Sequence, residues 1–288
     1  MTLLTELLLS DTAMVLAAGL GTRMRPLTLE KPKPLFEVGG RSMLDHALDR
    51  LLAAGIRRAV VNVFYLPDQI ENHLEKRSDM EIIISRESEL LDTGGGIKNA
   101  LRHFGGKPFF ALNADLPWMD AAPPHPDPFP PAGGEGEKRK SLARVAGEGR
   151  GPSLAPASGG KGEGGSLERM KDAWNPGKMD VLLLLMERQK ARGFGPNGDF
   201  MMESDGRVWR KGAAVKPYVM LSAQILKPEL FAPISEKIFS NNKIWDRAEE
   251  EKKLYGVAHE GSCYHVGTPE DLADANDLLA SGQGWGVS

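Results

Sequence analysis

The sequence of 288 residues has a single cysteine, Cys263, so it cannot form an internal disulfide bond. Such chains are typical of a reducing compartment, and we expect a cytoplasmic protein. No apolar run approaches the roughly 18 residues that a membrane-spanning helix needs. The leucine-rich start, residues 1–13, lacks a basic region and carries Glu6 and Asp11, which argues against a signal peptide and favours a short capping helix or an extended lead-in to the first strand.

Surplus charge of either sign is also missing, because 36 Lys and Arg residues oppose 39 Asp and Glu residues and leave a formal net charge of −3. A chain without a general basic field is not expected to bind nucleic acid or an anionic membrane. Apolar residues make up 41% of the sequence, which is ordinary for a globular protein with a sizeable core.

Strand and helix patterns alternate through the first 120 residues. Apolar or β-branched runs predict strands at 13–18, 59–64, 80–85 and 108–112, and helical spacing predicts helices at 42–54, 67–76 and 96–104. This alternation is typical of an α/β fold with a mostly parallel sheet flanked by helices. Ligands of such sheets bind at the carboxyl ends of the strands, so the loops after Ala18 and Leu112 are the expected binding loops.

The pattern stops at a stretch of unusual composition and then resumes. Residues 121–166 hold 8 Pro and 11 Gly and few large hydrophobic residues, too few to offset the entropy of ordering. We therefore predict a Pro/Gly-rich disordered insertion in one domain that is formed by 1–120 and 167–288. In the second part the patterns predict strands at 180–186, 215–226 and 254–258, a hairpin from 200 to 209, and helices at 244–252 and 269–280.

A glycine-containing loop after the first predicted strand is the most informative segment. Small residues and two glycines allow the backbone to approach a ligand closely, and exposed N–H groups in such a loop can hold phosphate oxygens. Arg23 and Lys33 add positive charge on the same stretch, and Pro32 and Pro34 stiffen the backbone around Lys33. The loop therefore predicts an anionic, phosphate-bearing ligand.

Two common phosphate-binding motifs do not fit this loop. Gly19 and Gly21 are followed by Met24 where a dinucleotide fingerprint has its third glycine, and no GK[ST] sequence is present for a Walker loop. The whole string GxGTRxxPLTxxxPKPL, residues 19–35, instead resembles the signature of the sugar-1-phosphate nucleotidyltransferases. Further segments similar to elements of that family are LDTGGGI at 91–97, LNAD at 112–115 and YHVGTPEDL at 264–272.

This resemblance implies a Rossmann-like fold of the nucleotide-diphospho-sugar transferase type. It also implies an enzyme that transfers a nucleotidyl group from a nucleoside triphosphate to a sugar 1-phosphate and releases pyrophosphate. Within the family the chain looks most like the N-acetylmuramate-1-phosphate uridylyltransferases of cell-wall recycling, which use UTP. The mannose-1-phosphate guanylyltransferases, which use GTP, look next most similar. A monomer or dimer is expected.

The resemblance also implies roles for individual residues. Arg23 and Lys33 are the expected catalytic residues, and Asp115 is the expected ligand of a Mg²⁺ cofactor. Contacts with the nucleotide are expected from Leu16, Ala17, Ala18, Gly19, Gly21, Thr22, Arg23, Thr93, Gly94, Gly95 and Asn113.

Three features depart from the family pattern. His265 stands where relatives usually have a second metal-binding Asp, so water or another group such as Asp246 is expected to complete the metal shell. Leu221 stands where relatives often have Gly, and is expected to crowd the sugar pocket. The 121–166 insertion directly follows the Asp115 loop. These departures leave open an alternative, a catalytically decayed nucleotide-sugar-binding or regulatory protein.

Overall fold

The computed structural model describes residues 9–120, 165–210, 212 and 215–286. Residues 1–8 and 121–164 lie outside the described residues, and with them most of the predicted lead-in and insertion. The strands, in chain order, are β1 (Thr12–Leu16), β2 (Glu37–Val38), β3 (Arg41–Ser42), β4 (Arg58–Val63), β5 (Glu81–Arg86), β6 (Phe109–Asn113), β7 (Trp118–Met119), β8 (Val181–Glu187), β9 (Ala191–Arg192), β10 (Met201–Met202), β11 (Val208–Trp209), β12 (Tyr218–Leu226), β13 (Leu254–Ala258) and β14 (Ser262–Tyr264).

Helices separate most of the longer strands. In chain order they are α1 (Met43–Ala53), α2 (Pro67–Leu74), α3 (Asp92–Ala100), α4 (Ser166–Ala173), α5 (Asn242–Glu250) and α6 (Pro269–Ala280). Single 3₁₀ turns include Thr22–Met24, Leu27–Leu29 and Lys33–Leu35 in the segment that follows β1. Within the described ranges, no helix is long and apolar enough to cross a lipid bilayer.

The main sheet has seven strands in the order β13-β8-β12-β6-β1-β4-β5. β12 runs antiparallel to both of its neighbours, β6 and β8, while the other neighbouring pairs are parallel. The sheet is therefore mixed but mostly parallel, as the sequence predicted. Because β1, β4 and β6 are parallel, the loops after these strands emerge at the same edge of the sheet.

Helices cover both faces of the main sheet. Leu44 of α1 and Ile70 of α2 pack into the core on one face. Ile97 of α3 and Ile244 of α5 pack into the core on the other face. Alternate residues of each strand pack into the two cores, since successive side chains of a strand point to opposite faces of the sheet.

A third apolar cluster holds the C-terminal helix against the segment that follows β1. Met24 and Val38 pack there with Val266, Ala275 and Trp285. Helix α6 spans Pro269–Ala280, as the sequence predicted, and the side chain of its N-cap residue Thr268 accepts a hydrogen bond from the Asp271 N–H. This packing brings the second half of the chain beside the loop that carries Arg23.

Three predicted boundaries need correction. The third helix begins at Asp92 rather than at 96. Asp92 itself has a left-handed φ of 61°, and its carboxylate accepts a 2.5 Å hydrogen bond from the Thr93 N–H. Strand β12 begins at Tyr218 rather than at 215, and Val215 is 73% exposed. Ser166, which the sequence placed in the insertion, is buried and begins helix α4.

The two ends that flank residues 121–164 meet. The Ser166 backbone N–H donates a 2.9 Å hydrogen bond to Oδ1 of Asp120, and the Ser166 hydroxyl donates to the same oxygen. The chain therefore leaves the described structure and returns to it at one place. The buried His259 completes this junction, because its Nδ1 lies 2.7 Å from the Ser166 Oγ.

Candidate active site

A cavity of about 570 Å³ opens at the carboxyl edge of the main sheet. Its walls come from the loop after β1, the start of α3 and the end of β6. The lining residues are Leu16, Ala17, Ala18, Gly19, Gly21, Thr22, Arg23, Met24, Lys33, Pro34, Asn62, Glu87, Leu90, Asp92, Thr93, Asn113, Asp115, Ile238 and Gly267. Most residues with an expected nucleotide or metal role therefore meet in one cavity.

The loop after β1 presents free backbone donors. Among the described residues, no protein acceptor receives a hydrogen bond from the backbone N–H groups of residues 18–23. Gly21 adopts a φ of 59°, and a Cβ there would lie 2.9 Å from Thr28 Cγ2. A loop of consecutive unpaired N–H groups is a binding surface for phosphate oxygens.

Neighbouring segments brace this loop from behind. The buried Thr28 donates its hydroxyl proton to the Gly21 carbonyl at 3.0 Å, and the Tyr65 hydroxyl donates to the Thr28 carbonyl at 2.7 Å. Two 3₁₀ turns, Thr22–Met24 and Leu27–Leu29, follow Gly21 and keep this part of the chain compact. The loop is therefore positioned before any ligand arrives, which lowers the cost of ordering it on binding.

Lys33 and Asp115 form an ion pair in this cavity. Lys33 Nζ donates to Asp115 Oδ2 at 2.9 Å, and the Lys33 side chain is only 8% exposed, against 40% for Asp115. Burial raises the pKa of the Asp115 carboxyl, but the adjacent Lys33 ammonium outweighs it and, with smaller effects from His265 and Arg23, lowers the pKa below its usual value. Asp115 is therefore ionised at neutral pH.

Arg23 is exposed at the mouth of the cavity. Among the described residues, no carboxylate forms an ion pair with its guanidinium, so its charge is available to a ligand. A Cβ on Gly267 would lie 3.4 Å from Arg23 Nη1 and 3.2 Å from His265 Cε1. The turn at 267–269, which leads into α6, therefore sits directly beside this arginine.

His265 contacts the protein through its ring. Its Nδ1 lies 3.1 Å from the Gly193 carbonyl, and its ring centroid lies 5.0 Å from that of Phe194. Burial lowers the pKa of His265, and the nearby Lys33 lowers it further. The imidazole is therefore neutral at pH 7, close enough to Asp115 for the two to interact electrostatically. A hydrogen-bonding role fits this placement better than metal ligation, since neutral imidazole is a poor ligand for Mg²⁺.

Thr93 lines the cavity as expected, and its Oγ1 accepts a 2.9 Å hydrogen bond from the Asn241 N–H. Gly94 and Gly95, which were expected to contact the nucleotide, are buried and do not line the cavity. A Cβ on Gly94 would collide with the Phe239 ring, and the Gly95 N–H donates to the Phe239 carbonyl at 3.1 Å. These glycines allow α3 to pack closely against the neighbouring chain segment.

Two other expectations also need correction. Leu221 is fully buried in the core, because strand alternation points it to the same face as Val219 and Ala223, and it does not line the cavity. Asp246 lies on α5, where its Oδ1 accepts a 2.7 Å hydrogen bond from Arg210. It is not among the cavity residues, so it does not complete a metal shell there.

Sequence reasoning missed several residues of the cavity, chiefly Asn62 near the end of β4 and Glu87 just after β5. Both are buried. Gly267, Ile238 and Asp92 were also missed. The positions of Asn62 and Glu87 in the sequence could have indicated their place in the cavity, because polar residues at the carboxyl ends of parallel strands lie at the edge of the sheet where ligands bind.

Asp115 is the carboxylate best placed for a metal ion beside the phosphate loop. No group of three or more His, Cys, Asp or Glu side chains in the described ranges is placed to hold a metal. Asp115 is ionised, and its side chain is partly exposed, which suits an ion that arrives with its ligand. Mg²⁺ is commonly bound by one or two carboxylates together with substrate phosphates and water, so the residues present fit it.

Comparison with known proteins identifies the family. Residues 12–123 match the nucleotidyl transferase family. An N-acetylmuramate alpha-1-phosphate uridylyltransferase from Caulobacter vibrioides is 37% identical over 274 aligned residues, which cover 93% of this chain and 96% of that relative. The chain is a sugar-1-phosphate nucleotidyltransferase. A mannose-1-phosphate guanyltransferase from Neurospora crassa is 44% identical to this nucleotidyltransferase, but over only 36% of the chain and 30% of the relative.

Solved structures agree with this fold. The nucleotidyltransferase superposes on a UDP-glucose pyrophosphorylase complexed with UDP-glucose with a TM-score of 0.65 at 14% identity, covering 94% of this chain and 98% of that one. HddC from Yersinia pseudotuberculosis gives a TM-score of 0.63 at 18% identity, over 93% and 99% of the two chains. At these identities the likeness supports the fold and no particular substrate.

Proposed function

We propose that this nucleotidyltransferase uses UTP and N-acetylmuramate 1-phosphate and makes the corresponding UDP-sugar. The similarity that carries the proposal is the one to the uridylyltransferase from Caulobacter vibrioides, which extends over nearly the whole of both chains. The cavity supports the reaction class independently, since it combines unpaired backbone donors, Arg23, Lys33 and the ionised Asp115. Positive groups around a phosphate-sized loop suit the meeting of two polyanions.

The chemistry is a displacement at phosphorus. An oxygen of the sugar phosphate forms a bond to the α-phosphorus of UTP, the bond from that phosphorus to the bridging oxygen breaks, and pyrophosphate leaves with the electron pair. The second pKa of a phosphate monoester is about 6, so the attacking oxygen is already ionised at neutral pH. The protein therefore has to supply position and charge neutralisation rather than a general base.

Each charged group has a defined task in this proposal. The N–H groups of the loop after β1 and the Arg23 guanidinium hold the β- and γ-phosphates and stabilise the leaving pyrophosphate. Lys33, fixed by Asp115, neutralises charge at the reacting α-phosphate. Loss of one such donor typically costs about 3–4 kcal/mol of transition-state stabilisation. Thr93, which lines the cavity, contacts the base in this proposal.

We propose that Asp115 also binds Mg²⁺, with phosphate oxygens and water as the remaining ligands. When bound, the ion screens the negative charges of the two phosphate groups and polarises the phosphorus centre. Asp115 would then exchange part of its contact with Lys33 for the ion, which leaves the Lys33 ammonium free to face phosphate. Asn113, on the same strand end, lines the cavity beside it.

The setting follows from the substrates. UTP is a cytoplasmic metabolite and Cys263 is the only cysteine, so we propose a cytoplasmic enzyme of cell-wall sugar metabolism that acts as a monomer or dimer. GTP with mannose 1-phosphate is the second substrate pair to test, because a mannose-1-phosphate guanyltransferase is 44% identical over 36% of the chain.

The proposal is tested by pyrophosphate release in the presence of Mg²⁺. Each of UTP, GTP, dTTP, CTP and ATP is combined with N-acetylmuramate, N-acetylglucosamine, glucose and mannose 1-phosphates. We expect the highest kcat/KM for UTP with N-acetylmuramate 1-phosphate, and loss of the signal in Lys33→Ala and Asp115→Ala. A higher kcat/KM for another pair would identify that pair as the substrates instead. Pyrophosphate release that persists in both variants would contradict the roles proposed for Lys33 and Asp115.

A further inference from the structure

Two buried side chains connect opposite walls of the cavity. The Ala17 N–H donates to Asn62 Oδ1 at 2.8 Å, and Asn62 Nδ2 donates to Glu87 Oε1 at 2.7 Å. The other oxygen of the same carboxylate, Glu87 Oε2, accepts from the Leu91 N–H at 3.0 Å. We call this chain of hydrogen bonds, from Ala17 through Asn62 and Glu87 to Leu91, the Asn62–Glu87 bridge.

The ends of the bridge lie where the two walls begin. Ala17 directly follows β1 and opens the loop whose unpaired N–H groups face the cavity. Leu91 directly precedes α3, whose first residues, Asp92 and Thr93, line the opposite wall. No backbone hydrogen bond in the described residues joins these two walls directly. The bridge is therefore a hydrogen-bonded connection between the two walls, in addition to the apolar packing of α3 on β1.

The surroundings keep the bridge rigid. Asn62 is 3% exposed and Glu87 is 9% exposed, so water competes little for their hydrogen bonds. Gly96 of α3 packs against the bridge, and a Cβ there would lie 2.7 Å from Asn62 Nδ2 and 2.9 Å from Glu87 Oε1. A side chain at position 96 would push the bridge apart, which explains why the third glycine of the LDTGGGI segment is needed at this position.

We propose that Asn62 and Glu87 are positioning residues that fix the distance between the phosphate-binding and base-binding walls and so determine the affinity for the nucleoside triphosphate. The inference rests on the proposed function for the identity of the ligand. Neither side chain has to touch the reacting atoms. Both oxygens of the Glu87 carboxylate are already occupied by protein donors, and Asn62 uses its carbonyl oxygen and its amide in the same way.

The pattern of donors and acceptors allows a reciprocal exchange as the test. In Asn62→Asp the new carboxylate faces the Glu87 carboxylate, and in Glu87→Gln the side chain offers only one acceptor to two donors. In the double variant N62D/E87Q, the carboxylate now at position 62 accepts from the Ala17 N–H and from the amide now at position 87, whose carbonyl oxygen accepts from the Leu91 N–H. The double variant therefore restores every hydrogen bond with the same heavy-atom count and net charge.

We expect each single variant to raise the KM for UTP and the Kd for UTP by roughly tenfold, since each loses a buried hydrogen bond to a charged group. The KM for the sugar 1-phosphate should change by less than about threefold, because the bridge joins the two walls that hold the nucleotide. The double variant should return the UTP values to within about threefold of wild type. Asp180→Asn is the matched control, because it disturbs the 2.7 Å ion pair between the buried Asp180, which directly precedes β8, and Lys227, which directly follows β12, and neither residue lines the cavity.

Several results would overturn the inference. A double variant no better than the worse single variant would mean that the Glu87 charge contacts the ligand directly. Equal changes in the KM for UTP and the KM for the sugar 1-phosphate, or the same changes in Asp180→Asn, would mean that the bridge contributes only to the general stability of the protein. Calorimetry of UTP binding keeps the test separate from turnover, because a wild-type protein that binds UTP without releasing pyrophosphate fails the proposed function while the Kd series still tests the bridge. If Asn62→Asp does not fold, Glu87→Gln and the double variant suffice.

Discussion

Lys33 and Asp115 stand 82 positions apart in the sequence, and Lys33 Nζ donates a 2.9 Å hydrogen bond to Asp115 Oδ2 in the cavity. One comes from a 3₁₀ turn after β1 and the other from the loop after β6, two strands that are neighbours in the sheet. The parallel pairing of β1 with β6 is thus what places the ammonium and the carboxylate together. An ammonium held in this way is oriented before substrate binds.

Replacing Lys33 by Met should lower kcat by about 10²- to 10³-fold, because one charge-neutralising donor is lost at the reacting phosphate. The KM for UTP should change much less. Lys31→Met is the matched control, since Lys31 lies on the same segment and is partly exposed, and its ammonium lies 4.0 Å from Glu37 and 5.9 Å from the centroid of the Phe36 ring. Steady-state pyrophosphate release measures both variants, and a similar loss of kcat in the two would contradict a specific role for Lys33.

The two glycines of the loop should respond differently to alanine. Nothing lies within 4 Å of a Cβ built on Gly19, so Gly19→Ala should keep its melting temperature while weakening UTP binding. Gly21 has a φ of 59°, and a Cβ there meets Thr28 and Lys33, so Gly21→Ala should lose about 1–2 kcal/mol of stability as well. Thermal unfolding and UTP calorimetry separate the two effects. Equal melting temperatures in the two variants would contradict this account of the loop.

His259 should make the protein sensitive to acid. Burial lowers the pKa of His259 to about 4, against 6.5 in the unfolded chain, and the opposing effect of Asp120 is smaller. Both states are neutral well above pH 6.5, so stability there is complete. As the pH falls from 6.5 towards 4 the unfolded chain takes up the proton first, and about 3 kcal/mol of the free energy of unfolding is lost.

Urea unfolding at a series of pH values measures this loss, with His259→Gln for comparison. The variant should be less stable at pH 7, because the contacts with Ser166 and Met119 change, but its stability should fall less steeply as the solution is acidified. Some slope should remain, since the pKa values of His46 and His265 are also lowered. An unchanged slope in the variant would show that His259 is not responsible.

Residues 121–164 should be dispensable for the reaction. Ser166 and Asp120 are joined by a 2.9 Å hydrogen bond, so a short Gly/Ser linker is sufficient to connect the flanking residues. We expect a variant with this replacement to keep its melting temperature within a few degrees and its KM for UTP within about twofold. A large rise in the KM for either substrate would instead assign the segment to the site.

The sequence predicted the alternation of strands and helices and the residues of the phosphate loop, because both depend on local patterns. The cavity positions of Arg23, Lys33, Thr93 and Asp115 also follow from motifs. The Asn62–Glu87 bridge could not be predicted in this way. The positions of its two residues near the ends of β4 and β5 indicate the ligand edge of the sheet, but only the pairing of β4 with β1 and β5 brings the two side chains together under the loop.

The residues that were expected at the site but do not line the cavity also have something in common. Glycine is required where another group packs so closely on the backbone that a Cβ would collide with it. The sequence does not reveal whether that group belongs to a ligand or to the protein itself. At Gly94 and Gly95 the neighbour is the segment at 237–239. The direction of Leu221 depends on the face of β12 to which its register assigns it, and a single sequence position does not carry that information.

The most direct test of the central claim follows the phosphorus atoms themselves. UTP, N-acetylmuramate 1-phosphate and Mg²⁺ are mixed with the enzyme, and ³¹P NMR records the products. Our account predicts that the sugar phosphate signal is replaced by a diphosphate diester pair while an equal amount of pyrophosphate appears, and that Lys33→Met slows both together. Intact UTP and sugar phosphate, from a folded protein that binds UTP by calorimetry, would contradict the account and favour a nucleotide-binding protein without transfer activity.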